Sequence, residues 1–309
     1  MSLHPQVAAL LDKAASSPLP TLDAVTPFVA RRLYRERCAV VTPEPPTVTD
    51  TRIFLVEGRI VVRCHRPAGH MRDDVLPALV YFHGGGWTIG DLDTHDVLCR
   101  QLANGAHCAV FSVEYRLAPE SPFPAAVDDC VAATRFVLEE ASSLRIDARR
   151  VAVGGDSAGG NLATVVALQL PGLVFQLLIY PATDMRAGHA SHRRNGEGYL
   201  LTSKLIEYFR GHYIPRRADW SDWRASPLLA PSLAGLPPAY LLTAGYDPLA
   251  DEGREYAERL AREGVEVSCQ DYPDMIHGFI VMGRVIDRAN EAVAKCAAAL
   301  RGAFKKVTA

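Results

Sequence analysis

A serine boxed between glycines is either part of a tight turn or the reason for one. Gly155-Asp156-Ser157-Ala158-Gly159 fits the pattern G-x-S-x-G, and its setting favours the second reading. An apolar run, "RVAVGGDS", leads directly into a helical pattern, "AGGNLATVVALQL". A strand-to-helix elbow of that kind strains the backbone at the serine, needs small neighbours, and leaves the hydroxyl exposed at the carboxyl end of the strand. It also puts the hydroxyl at a helix N-terminus, where negative charge is favoured as it develops. The chemistry such a serine serves is acyl transfer. A serine hydroxyl attacks a carbonyl only when a base takes its proton.

At elbows of this type the partners follow in the order serine, acid, histidine. Four histidines lie beyond Ser157: His189, His192, His212 and His277. The first three fall in a polar stretch between apolar runs. His277, in "YPDMIHGF", follows the last strand by a short loop and is the expected base. The acid should end the preceding strand, and "AYLLTAGYDPLADEG" offers Asp247 there. Its role would be to accept the Nδ1–H of His277 and hold the imidazole in one tautomer. Asp251 reads better as the start of a helix, and Asp274 stands three residues before His277; both remain alternatives.

Acyl transfer also needs donors for an oxyanion. "YFHGGGW" follows the first buried strand, and adjacent glycines let backbone N–H groups point into one space. Gly84, Gly85 and the N–H of Ala158 are the expected donors. His83 precedes the serine and reads as a structural hydrogen-bonder.

These residues need a scaffold, and the apolar runs supply one. "ALVYFHGGG", "CAVFSVEY", "RVAVGGDS", "LVFQLLIYP", "PAYLLTAG" and "VEVSCQDYP" alternate with amphipathic helical patterns. Several are apolar throughout, as strands buried on both faces are. Before them, "RIFLVEG" and "RIVVRCHRP" read as a hairpin about a Glu-Gly turn. The fold class is α/β: a mostly parallel sheet of about eight strands flanked by helices. Residues 1–46 form two helical pieces and a proline cluster. Residues 47–184 and 232–309 carry the two parts of the core. Residues 185–231 are polar and Gly- and Arg-rich, as an insertion that forms a cap would be.

The bulk numbers narrow the function. The 309 residues carry a net charge of −2, without a basic tail or stripe, so no nucleic-acid partner is expected. No uncharged apolar stretch reaches the roughly 18 residues of a membrane span, and the N-terminus lacks the basic start of a signal peptide. Seven cysteines, an odd number without a C-x-x-C pair, argue against a disulfide framework or a zinc site and fit a reducing, cytoplasmic setting. "HASH" at 189–192 has metal-like spacing, but no nearby carboxylate or cysteine completes a set, so it reads as a solvated cap segment and no metal is expected.

"HGGGWTIGDLDTHD", "YRLAPESPFPAA", "GGDSAGGNLA", "TAGYDPLADEG" and "MIHGF" occur in this order between residues 80 and 280. Together they resemble the hormone-sensitive-lipase-like esterases, family IV of the bacterial lipolytic enzymes, on the α/β-hydrolase fold. The resemblance implies hydrolysis of short- to medium-chain acyl esters without a cofactor, a triad on Ser157, Asp247 and His277, a helical cap, and, as in many members, a homodimer through the sheet edge. Trp87, Tyr199, Phe209 and Tyr213 are the expected pocket walls. Ala250 stands where a basic residue is frequent in the family, and Asp274 where glycine is. The same triad serves amidases, lactonases and deacetylases. The gibberellin receptors resemble this family but lack the catalytic histidine and bind without turnover; His277 argues against that reading. G-x-x-x-x-G-K-[ST] and G-x-G-x-x-G are both missing, so the glycines do not suggest a nucleotide site.

Overall fold

Apolar runs with no polar face become the inner strands of the sheet. In the computed structural model, which describes residues 2–307, every residue of β3 (Leu76–Phe82) and β6 (Phe175–Ile179) is buried, as are the last six of β5 (Ile146–Asp156). The remaining strands are β1 (Asp50–Val56), β2 (Ile60–Arg66), β4 (Ala109–Glu114), β7 (Ala239–Tyr246) and β8 (Val267–Ile276). They form one eight-stranded sheet in the order β1-β2-β4-β3-β5-β6-β7-β8. The β1–β2 hairpin turns through residues 57–59, with Glu57 and Gly58 both at positive φ and Arg59 N donating to Val56 O at 3.1 Å. β1–β2 and β2–β4 pair antiparallel, and all other pairs are parallel.

Both faces are covered. α3 (Asp96–Ala106) and α9 (Asp287–Lys306) pack on one side, with Leu98, Leu102, Val293 and Leu300 in a shared cluster. α4 (Ala125–Glu139), α5 (Ala158–Gln169) and α8 (Ala250–Arg262) cover the other. α5 is buried from Ala158 to Ala167, so it lies under its neighbours rather than at the surface. Each fully buried Leu or Val contributes about 1.5–3 kcal/mol.

Parallel strands send their carboxyl ends to the same edge, which brings together residues far apart in sequence. β3 runs into His83, β5 into Ser157, β7 into Asp247 and β8 into His277. β8 extends further than its apolar run suggested: "DYPDMI" is strand, so His277 follows it directly and Asp274 lies within it.

Over this edge lie α1 (Pro5–Ala15), α2 (Pro27–Val41), α6 (Ala190–Arg194) and α7 (Ser203–Tyr213). Leu22, Ala30 and Leu33 pack against Leu201, Leu205, Phe209 and Ile89 in a separate small core. Prolines at the first turns of α1 and α2 suit positions whose N–H would be unpaired in any case. Two arginines tie α2 to the body below. Arg31 donates to the carbonyls of Thr88 and Ala118, each at 2.8 Å, and pairs with Glu120. Arg35 pairs with Asp91.

The excursion carrying α6 and α7 is closed at its base. Met185 N donates to Ser226 Oγ at 2.8 Å, and Leu228 N to Thr183 O at 3.0 Å. Asn161 Nδ2 on α5 donates to both sides of this neck, to Ala182 O and Ala225 O. Among the described residues, no helix is long and apolar enough to cross a membrane.

Candidate active site

Ser157 stands at φ 55° and ψ −118°, a region that L-residues avoid. The surroundings hold it there. Its N–H donates to Ile179 O at 2.9 Å, and its carbonyl accepts from Asn161 N at 3.1 Å. Gly159 is required by close approach: a Cβ there would lie 1.8 Å from Phe82 O. The elbow therefore depends on α5 touching the end of β3.

The side chain meets the two partners that the chain order predicted. Ser157 Oγ lies 2.9 Å from His277 Nε2, and His277 Nδ1 lies 2.7 Å from Asp247 Oδ2. Asp247 is fully buried, and its other oxygen accepts Leu249 N at 2.8 Å. The ring of Tyr180 packs 4.7 Å from that of His277. A hydroxyl, an imidazole and a carboxylate in this sequence can move a proton off the serine and stabilise the resulting imidazolium. The other candidate acids are engaged elsewhere. Asp251 accepts Ser191 N and pairs with Arg194, and Asp274 faces Arg288.

The glycine loop corrects one expectation. Gly84 N donates to Asp156 Oδ1 at 3.0 Å, so this amide is not free for a substrate. The next two glycines border the cavity into which Ser157 opens. Both have positive φ, 125° at Gly85 and 57° at Gly86. Side chains are excluded at both: a Cβ on Gly85 would lie 2.1 Å from Ile89 O, and one on Gly86 2.2 Å from the Phe209 ring. Ala158 keeps its expected position at the first turn of α5.

Asp156 is the residue that sequence reasoning missed. It is buried beside Ser157 and accepts Tyr81 OH at 2.8 Å as well as Gly84 N, with His95 Nε2 3.2 Å away. Burial opposes its charge, yet His95 and the Tyr81 hydroxyl hold its carboxyl below the usual carboxylate range. Its neighbour His83 stacks on Tyr115 at 4.3 Å, and burial followed by the nearby His95 lowers its pKa to about 4. His83 is therefore neutral at physiological pH and structural, as expected. An acid flanking the serine in an apolar strand was a visible signal, since a buried carboxylate needs several donors.

A cavity of about 1190 Å³ opens above Ser157 and His277. Leu10 of α1, Val41 of α2 and Leu205 of α7 line it, together with Trp87, Tyr199 and Phe209. Tyr213 does not reach it. That ring is fully buried and stacks behind Trp87, with centroids 4.5 Å apart and planes 3° from parallel. Cys38 also faces the cavity, but burial pushes its thiol up to about 12, so it carries no thiolate at neutral pH.

The "HASH" segment is a second correction. His192 is buried, and carboxylates 60 or more residues along the chain meet both rings: Glu252 lies 2.7 Å from His192 Nε2, and Glu255 lies 2.8 Å from His189 Nε2.

Residues 79–281 match a family described as the alpha/beta hydrolase fold. Ethyl acetate hydrolase of Pseudomonas putida is 40% identical over 97% of this chain and 99% of its own. Carboxylic ester hydrolase LipN of Mycobacterium tuberculosis is 42% identical over 90% of this chain and 77% of its own. Among solved structures, a serine-to-alanine mutant of an alpha/beta hydrolase enzyme from the metagenome of Lake Arreo, Spain, superposes with a TM-score of 0.93 at 42% identity, covering 98% of this chain and 99% of that one. The chain belongs to the alpha/beta hydrolase family and, within it, to the hormone-sensitive-lipase-like carboxylic ester hydrolases.

Proposed function

We propose that this carboxylic ester hydrolase is a serine carboxylesterase working through an acyl-enzyme on Ser157, with short- to medium-chain acyl esters as substrates. The observation that carries the reading is the unbroken chain Asp247–His277–Ser157 at the floor of an apolar cavity. Ser157 attacks the ester carbonyl as His277 takes its proton. Asp247 keeps Nδ1 protonated and stabilises the imidazolium. The N–H groups of Gly85, Gly86 and Ala158 receive the oxyanion, and Gly84 braces the loop through Asp156. The alcohol leaves with the proton from His277, and water repeats the cycle on the acyl-enzyme. Residues 1–46 and 185–231 act as the cap over a core of 47–184 and 232–309, and Trp87, Tyr199 and Phe209 form substrate walls. Seven cysteines free of disulfides support a reducing, cytoplasmic setting. Pairing of two copies through the β8 edge is the proposed assembly, and light scattering at working concentration tests it.

The relative that acts on ethyl acetate makes the acetyl group the natural starting point of a substrate series. Hydrolysis of p-nitrophenyl esters from acetyl to dodecanoyl should peak at one chain length. Ser157→Ala should lower kcat by roughly 10⁵–10⁶-fold with the fold intact. Activity unchanged by Ser157→Ala, or an amide or lactone turned over faster than every ester, would overturn the assignment.

A further inference from the structure

We infer that His189, His192 and Glu252 form a binding site for one divalent transition-metal ion of the zinc class, joining the cap excursion to α8. One ligand atom from each of the three side chains lies within 4.8 Å of the other two. His189 and His192 sit one turn apart at the start of α6, and Glu252 lies in the first turn of α8. Glu255, one turn further along α8, meets His189 Nε2 from the solvent side with Oε2 at 2.8 Å, which orients the ring and leaves Nδ1 as the nitrogen to ligate.

Two further features separate this cluster from a pair of ordinary ion pairs. Glu252 is fully buried, and its Oε1 is already oriented by the amides of Thr183 and Asp184 at 2.7 and 3.2 Å, which leaves Oε2 facing His192 Nε2. Carboxylate ligands in metal sites are held from behind in this way. His189 Nδ1 is buried without a hydrogen-bond partner, and an unpaired buried nitrogen is costly. The 2.7 Å contact between His192 Nε2 and Glu252 Oε2 is a spacing that a shared proton sets. Around an ion with bonds of about 2.0–2.1 Å the ligand atoms stand roughly 3.3 Å apart, so the ion requires an opening of about half an ångström. Two imidazoles with a carboxylate suit zinc, cobalt or nickel, whereas magnesium and calcium prefer oxygen donors throughout.

The site lies at the rim of the chemistry but outside it. His192 and Glu252 border the substrate cavity, while His189 is turned away. A bound ion would fasten α6 to α8 and stiffen that wall. The test is metal binding, so its outcome is independent of the esterase reading. Wild-type protein stripped with a chelator is titrated with Co²⁺, followed by visible d–d absorption, and with Zn²⁺ by calorimetry. One ion per chain, a rise in Tm and low-symmetry Co²⁺ bands are expected. His189→Ala, which leaves the cavity lining intact, should lose the Co²⁺ bands while its ester hydrolysis stays at the metal-free level. Losing a residue that only orients a metal ligand costs roughly 10–100-fold in affinity, and removing a ligand should cost more. His70 and His107, 3.4 Å apart at the opposite edge of the sheet, are the control. No binding by the wild type, or binding that survives His189→Ala and disappears in His107→Ala, would overturn the inference.

Discussion

Two histidine–aspartate pairs flank Ser157, and they differ in what the outer nitrogen meets. In the first, Asp247 holds one nitrogen of His277 and the other faces the Ser157 hydroxyl at the cavity floor. In the second, Asp156 meets one nitrogen of His95, and the other faces the Thr94 hydroxyl inside the protein. The residue types are the same, but only the first pair reaches a group that substrate can touch. Asp156 instead spends its remaining oxygen capacity on Tyr81 and on the amide of Gly84. In the proposed mechanism the first pair moves a proton, and the second fixes the loop that receives the negative charge which that proton transfer creates.

The sharpest way to break this contrast is Asp247→Asn. It preserves shape but favours the wrong tautomer of His277, so kcat should fall by on the order of 10⁴-fold with KM and Tm nearly unchanged. Steady-state kinetics beside a melting curve would check it.

Next in size is an effect confined to the sealed side. His83 has a folded pKa of about 4, and an exposed histidine titrates near 6.5. The unfolded chain therefore takes up a proton that the folded one refuses. The corresponding stability is fully present above about pH 6.5 and is lost as pH falls towards 4, to a total of roughly 3 kcal/mol. Denaturant unfolding at pH 7 and pH 4.5 should show a steeper loss for the wild type than for His83→Gln.

Asp156→Asn should come third. It weakens the brace on Gly84 without touching the base, so kcat should fall by on the order of 10²-fold, as when one oxyanion donor is misplaced. The pH profile of kcat/KM should keep its shape. A changed profile would mean that Asp156 belongs to the proton path, and the contrast would fail. Smallest is Tyr81→Phe, which removes one hydrogen bond to a carboxylate that retains others. About 1–2 kcal/mol of stability and less than a tenfold change in kcat are expected.

The same contrast explains what could be read from the sequence. Ser157 and His277 were legible because each sits at a strand end and their order is fixed by topology. Asp247 was legible for the same reason, and the structure separates it from Asp251 and Asp274 by their partners. The register of the glycine loop was not legible. Which amide faces inward depends on Asp156, 72 residues beyond Gly84, and on φ values that sequence does not reveal. Tyr213 failed as a wall because helical spacing does not say which side of Trp87 a ring will take. The carboxylates facing His189 and His192 were missed because only the fold brings α8 against α6. The sheet itself was legible from its uninterrupted apolar runs, except for the length of β8, where polar residues continue a strand at the edge.

The neck at residues 183–185 and 226–228 has an evolutionary consequence. The excursion above it leaves and returns through the same few hydrogen bonds. Insertions or deletions beyond the neck that spare Asn195, whose Nδ2 donates to Gly245 O and Asp247 O, need not disturb the strand pairing beneath, and each doubling of a loop's length costs only about 0.6 kcal/mol of closure entropy. Under the proposed function, such a module could diverge while the elbow is inherited unchanged, so that descendants trade one range of esters for another without reinventing the reaction.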